Sequence, residues 1–229
     1  MKYSILALLV FTVFRVSSQE LVLSGGINST TYAYKDALGK DNDNLRESTG
    51  NFYELDYTAP INKQGKWYYS LGLSLNEYNA KGGNLARLYT WHTRYLGLQS
   101  GLSYSVLSLE SGFKTAFSVG MQANTIVNGE QVMNGTVYDL TGEEEFRGVF
   151  LKPNVGATLS YPVSDNLTLG LGYNYGESNK LNNTSAEVLN FKNHQVLLRL
   201  GIALRQNLKK DMDKVPDTNE KSPESQKNR

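Results

Sequence analysis

The chain has 229 residues, with 23 Lys and Arg against 22 Asp and Glu, a formal net charge of +1 and no cysteine. So even a balance, without a basic stripe, argues against a nucleic-acid partner. An exported chain without cysteine gains nothing from disulfides and has no N-terminal cysteine to carry a lipid anchor.

The first residues read as a secretory signal. Lys2 gives a basic start, Ile5 to Phe14 an apolar run, and Val16-Ser17-Ser18 a small-residue cleavage context before Gln19. Arg15, directly after the apolar run, blurs the cleavage position. The run is too short for an uncleaved membrane anchor, which needs about 20 residues. Residues 1–18 are therefore expected to be a signal peptide.

Beyond it, apolar and small polar residues alternate in runs that predict eight strands. These lie near Leu21 to Tyr34, Asn51 to Ile61, Trp67 to Tyr78, Tyr89 to Leu107, Phe113 to Val127, Phe146 to Val163, Leu167 to Tyr175 and Leu189 to Arg205. The rhythm is clearest over Trp67–Leu75 and Leu167–Tyr175, where large apolar residues face away from Ser, Gly, Thr and Asn. A face of glycine and hydroxyls cannot fill a dry core. The apolar face is therefore expected to point outward, into lipid, although no segment resembles a membrane helix.

Short connections such as Asn62–Lys66, Ser108–Gly112 and Ser164–Asn166 carry the Gly, Asn and Asp that reverse a hairpin. The others, Lys35 to Gly50, Asn79 to Leu88, Asn128 to Glu145 and Gly176 to Val188, are longer and polar. Short and long alternate, as expected for an eight-stranded antiparallel up-and-down transmembrane β-barrel with short periplasmic turns and long extracellular loops. An even strand number puts both termini on the side of the short turns. The domains are then the signal 1–18, the barrel 19–205, and a charged, disordered periplasmic tail 206–229, with Pro216 and Pro223 among its charges. Aromatic residues gather in two expected girdles: Trp67, Tyr69, Tyr104, Phe113 and Tyr161 at the periplasmic side, and Tyr53, Tyr78, Tyr89, Trp91, Tyr173 and Phe191 at the outer side.

This rhythm, the loop asymmetry and repeats such as Leu159-Ser160-Tyr161-Pro162 resemble the small outer-membrane barrels of the OmpA transmembrane-domain and OmpX type. Most of all they resemble the short porin-like barrel proteins of Bacteroidetes. The resemblance spans Leu21 to Arg205 and implies a Gram-negative cell-envelope protein in contact with outer-membrane lipid and lipopolysaccharide. Such barrels often finish on an aromatic residue that the assembly machinery reads, whereas here the last strand ends in Leu204-Arg205.

Eight tilted strands leave a lumen only wide enough for side chains. The charges expected inside are Glu54, Asp56, Lys114, Lys152, Arg199 and Arg205, with Asp56 and Arg199 at similar heights. Buried charges need partners, so the carboxylates are expected to pair with Arg199 and with Lys152 as a charged plug.

His92, Thr90 and Arg94 share the apolar face of the fourth strand, with Glu77 across the hairpin. A His beside a carboxylate suggests acyl-transfer chemistry. The families that use it, however, place a serine two residues from the histidine, where this chain has Thr90 or Arg94. His92 and Arg94 are better read as contacts to lipopolysaccharide phosphates or headgroups at the outer interface. Asp41, Asp43, Glu47 and Glu143 to Glu145 have no metal-loop spacing. No catalytic residue, metal or cofactor is expected. The expectation is a non-enzymatic outer-membrane barrel acting as a structural or interaction protein, or as an accessory subunit that meets other envelope proteins through its loops or tail. The alternatives are a lipid-modifying enzyme and a soluble lipocalin-like carrier, which would turn its bulky residues inward.

Overall fold

The computed structural model describes residues 19–204, except Asp43, Lys63, Leu85, Ala86, Thr184 and the side chains of Asn84 and Arg87. The expected signal peptide, Arg205 and the tail lie outside the described residues.

Period-two alternation folds into strands β1 (Glu20–Lys35), β2 (Arg46–Pro60), β3 (Trp67–Asn84), β4 (Arg87–Ser108), β5 (Lys114–Met133), β6 (Thr136–Asp139), β7 (Val149–Ser164), β8 (Leu167–Lys180) and β9 (Val188–Ala203). All pairings are antiparallel. β1 pairs with both β2 and β9, and β4 with β5, so the sheet closes on itself. β6 pairs only with β5, in a hairpin beyond the barrel, which leaves eight strands in the wall. A closed wall has no edge, so each of its strands is flanked by a pairing partner on both sides and the ladder needs no water.

The alternation sorts as the composition requires. On β5, Phe117 and Val119 are 58% and 57% exposed, whereas Gln122 and Asn124 on the other face are buried. On β3, Leu71 and Leu73 point out while Ser74 and Asn76 point in. The outward apolar stretch of β3 runs from Trp67 to Leu75. At about 3.3 Å per residue and a tilt of about 40°, such a stretch covers roughly the 25 Å of a barrel's apolar band. Above it the outward residues turn polar on several strands, as at Asn51, Glu77, Arg94, Thr125 and His194. At the short-turn end the outward rings pair, with Trp67 4.8 Å from Tyr104 and Phe113 4.8 Å from Tyr161.

The short turns close as hairpins. Asn62 Oδ1 accepts the N–H groups of Lys66 and Trp67, and Gly65 supplies a φ of 64°. Gly112, at φ 95°, does the same between β4 and β5.

One expected loop is not a loop. The segment Asn79–Leu88 is almost wholly strand: β3 runs to Asn84 and β4 starts at Arg87. The wall continues past the apolar band as a β-sheet with polar outward residues, so loss of the apolar outer face marks the end of the band and not the end of the strand. Likewise β5 continues to Met133 and folds back through β6 before the chain returns to the wall at Val149.

Candidate functional site

The lumen is built in two layers. The lower one is polar. Strand register places Asp56, Gly72, Gln99, Gln122 and Lys152 side by side across β2, β3, β4, β5 and β7. Gln99 Nε2 donates to Asp56 Oδ1 at 2.7 Å, and Gln122 Nε2 donates to Gln99 Oε1 at 2.9 Å. Gly72 makes this possible: a Cβ there would stand 2.0 Å from Asp56 Oδ1. The network continues from Gln122 to Ser74, from Asn76 Nδ2 to Ser74 Oγ at 3.0 Å, and from Gln195 Nε2 to Asn76 Oδ1 at 3.0 Å. Amide hydrogen bonds thus cross the lumen from β2 to β9.

Glu54, Asp56, Lys152 and Arg199 line one cavity of about 90 Å³ within this layer. The expected charge pairing is corrected here. The three ion pairs within 4 Å among the described residues are Lys35–Asp41, Arg94–Glu77 and Lys192–Glu177, all outside the lumen. Arg199 Nη1 instead donates to Thr158 Oγ1 at 3.4 Å, and Asp56 takes its hydrogen bond from an amide. Glu54 shares a hydrogen-bonded row with Arg199, each pairing with Ser24. The physical reason is geometric: register sets Gln99 and Gln122 beside Asp56, and an amide, donor and acceptor at once, spans the lumen to satisfy the carboxylate where no cation reaches it. Lys114 stands lower, exposed at the wide mouth on the short-turn side. Arg205 lies outside the described residues.

The upper layer is aromatic. Phe191 is fully buried, with ring centroids 4.9 Å from Tyr32, 5.3 Å from Tyr78, 5.5 Å from Tyr95 and 5.0 Å from Phe150. Leu140, Phe146 and Leu189 pack against the same cluster. The buried hydroxyls are satisfied: Tyr32 donates to the Tyr78 carbonyl at 2.7 Å, and Tyr95 to the Phe146 carbonyl at 3.3 Å.

This layer corrects the outer girdle. Tyr78 and Phe191 are inside the barrel, and Tyr89 and Trp91 stand on the inward face of β4 that carries Thr93 and Tyr95. Tyr53 and Tyr173 do face outward, as do Trp67, Tyr69, Tyr104 and Tyr161. Parity was the overlooked signal. Tyr78 shares its face with Gly72, Ser74 and Asn76, and Phe191 shares its face with Asn193 and Gln195.

On the outer wall, Arg94 Nη2 donates to Glu77 Oε1 at 2.8 Å, and Glu77 Oε2 accepts the Asn51 N–H at 3.0 Å. His92 is exposed beside them, in a cleft that Glu130 also lines. His194 Nδ1 is 2.6 Å from the Tyr173 hydroxyl, against the ring of Tyr175. No group of three or more potential ligands is arranged for a metal ion among the described residues.

No family model and no curated protein matches the sequence. Several solved structures are similar over most of their length. Neisserial surface protein A is similar at 14% identity and a TM-score of 0.45, over 79% of this chain and 96% of its own. Outer membrane protein OprG from Pseudomonas aeruginosa is 11% identical with a TM-score of 0.46, over 81% and 95%. Outer membrane protease OmpT from Escherichia coli is 10% identical with a TM-score of 0.46, over 81% and 96%. The closed eight-stranded antiparallel wall, with its outward apolar band, is an outer-membrane type of transmembrane β-barrel.

Proposed function

We propose that the chain is an exported, non-enzymatic outer-membrane barrel whose occluded lumen makes it a structural or interaction protein, or an accessory subunit of an envelope complex, and not a pore. The observation that supports this best is the Phe191 cluster. Five mutually packed rings cover the polar layer, and no ion crosses such a seal without displacing them.

In this reading the short turns and both termini are periplasmic and the longer connections are extracellular. The lipid-facing wall supports membrane residence: leucines such as Leu71 and Leu73 are half exposed to the surroundings, where a soluble carrier would bury them. His92 and Arg94 face outward just above the apolar band. They would meet lipid headgroups or lipopolysaccharide phosphates, with Glu77 holding the guanidinium in place.

Two measurements test the reading. In planar bilayers the purified barrel is expected to show no steady conductance, and a stable open channel would overturn the plugged state. Co-purification from detergent-solubilised outer membrane then separates the roles. A stoichiometric partner supports an accessory subunit, and a barrel that purifies alone supports a structural one. Recovery in the soluble fraction would overturn both.

A further inference from the structure

The barrel end away from the termini holds a pocket that none of these roles uses. A cavity of about 380 Å³ opens there between the ends of β1 and β4, the β5–β6 hairpin and the segment 140–148. Its floor is the outer side of the aromatic seal, at Phe146 and Leu189. Three more rings stand in its wall: Tyr34, Trp91 and Tyr138. The size is that of a small-molecule site, and the wall is mostly apolar with a few polar groups, as such sites are.

The walls are held in place. The Trp91 indole lies over β3 because Gly82 has no side chain; a Cβ there would come within 2.9 Å of Trp91 Cζ3. The Tyr34 hydroxyl donates to Glu187. Glu187 is itself fixed in its loop, where its N–H donates to Ser185 Oγ at 3.1 Å and its carbonyl accepts from Asn183 Nδ2 at 3.0 Å. Asp139 is held by the Thr141 N–H at 2.8 Å.

The charge of the pocket has one sign. Asp139, Glu143, Glu145 and Glu187 line it, and no described lysine or arginine side chain does. The cavity is thus an aromatic cup rimmed with carboxylates. Glu145 and Glu187 lie against each other, but no three such groups among the described residues could share an ion. A compact divalent cation is therefore a poor fit. A cation with an apolar body satisfies both features at once, because ring faces attract an ammonium group that has few water hydrogen bonds to lose.

We propose that this pocket binds a small organic ammonium ion, its alkylated nitrogen against Trp91 and Tyr34 and its charge answered by Glu145 and Glu187.

The test uses the barrel in non-ionic detergent with Trp67→Phe, which leaves Trp91 as the only tryptophan; Trp67 lies on the outer wall at the opposite end. The probe is choline, with its neutral isostere 3,3-dimethylbutan-1-ol as control. Choline is expected to change Trp91 fluorescence saturably, and the neutral alcohol to bind about tenfold more weakly or less well still. Glu145→Gln with Glu187→Gln is expected to weaken choline by about tenfold while the barrel keeps its heat-modifiable mobility on gels. No saturable response, equal binding of the two probes, or unchanged affinity in the double variant would each overturn the proposal.

Discussion

The ammonium of Lys152 stands 5.5 Å from the centre of the Tyr78 ring, at the level where the polar layer of the lumen meets the aromatic seal. Lys152 is only 2% exposed, and it shares its cavity with Glu54, Asp56 and Arg199. A buried ammonium is tolerable here because a ring face and carboxylates surround it without a tight ion pair. Replacing Lys152 by Met leaves buried carboxylates with less compensation, a loss of about 1–3 kcal/mol. The expected outcome is a lower heat-modification midpoint on gels for Lys152→Met, with a smaller drop for Glu54→Gln combined with Lys152→Met.

Phe191 is the hub of the seal, so Phe191→Ala removes contacts to four rings at once. A buried Phe→Ala change costs about 3–5 kcal/mol. Beyond lower stability, the variant is expected to admit ions in planar bilayers, where the parent chain stays silent. A destabilised but still silent variant would show that the polar layer alone is the barrier.

Gly72→Ala is expected to break the Asp56–Gln99 bond, since the new methyl meets Asp56 Oδ1 at 2.0 Å and the Leu55 carbonyl at 2.4 Å. The backbone oxygen leaves it no direction in which to yield. Gly142→Ala, with nothing within 4 Å and no unusual φ, is the control. Unfolding midpoints in urea should fall for the first and stay unchanged for the second.

Leu71, 53% exposed, faces out near the middle of the apolar band. Leu71→Arg should cost about 2–4 kcal/mol in bilayer-folded protein. His194→Arg, above the band, should cost little. Folding titrations into lipid vesicles measure the difference, and equal costs would contradict a lipid-facing wall.

Acidity should act on the segment that caps the lumen. Burial, reinforced by the neighbouring Glu187, pushes the Glu145 carboxyl above its ordinary 4.5. A carboxyl raised in this way holds its proton better in the packed segment than in the open one. Its contribution is therefore complete below the ordinary value and fades as pH rises through the raised one. Amide protection of residues 140–148, corrected for intrinsic exchange, is expected to be higher near pH 4 than near pH 7.5. Glu187→Gln should shrink the difference.

The barrel itself was legible in the chain because each strand writes both of its environments in alternate letters. Leu71 and Leu73 against Gly72 and Ser74 suffice to orient β3, and Asn62 and Gly65 to close its hairpin. The same alternation misled at the outer end. Beyond Leu75 the outward residues become polar, so the segment from Asn79 through Lys81 reads as loop although hydrogen bonding carries the strand on to Asn84.

The site was harder to read, because its chemistry joins residues far apart in sequence. The sequence by itself determined the architecture, the direction of the apolar faces and the presence of charge in the lumen, all properties of local period and composition. Only the closed wall decided that Phe191 meets Tyr32, Tyr78, Tyr95 and Phe150, that Gln99 and Gln122 serve Asp56 where ion pairs were expected, and that Trp91 turns inward above an acidic rim. The reason is register: a shift of one residue between neighbouring strands sends a side chain to the other face, and shifts accumulate around the barrel.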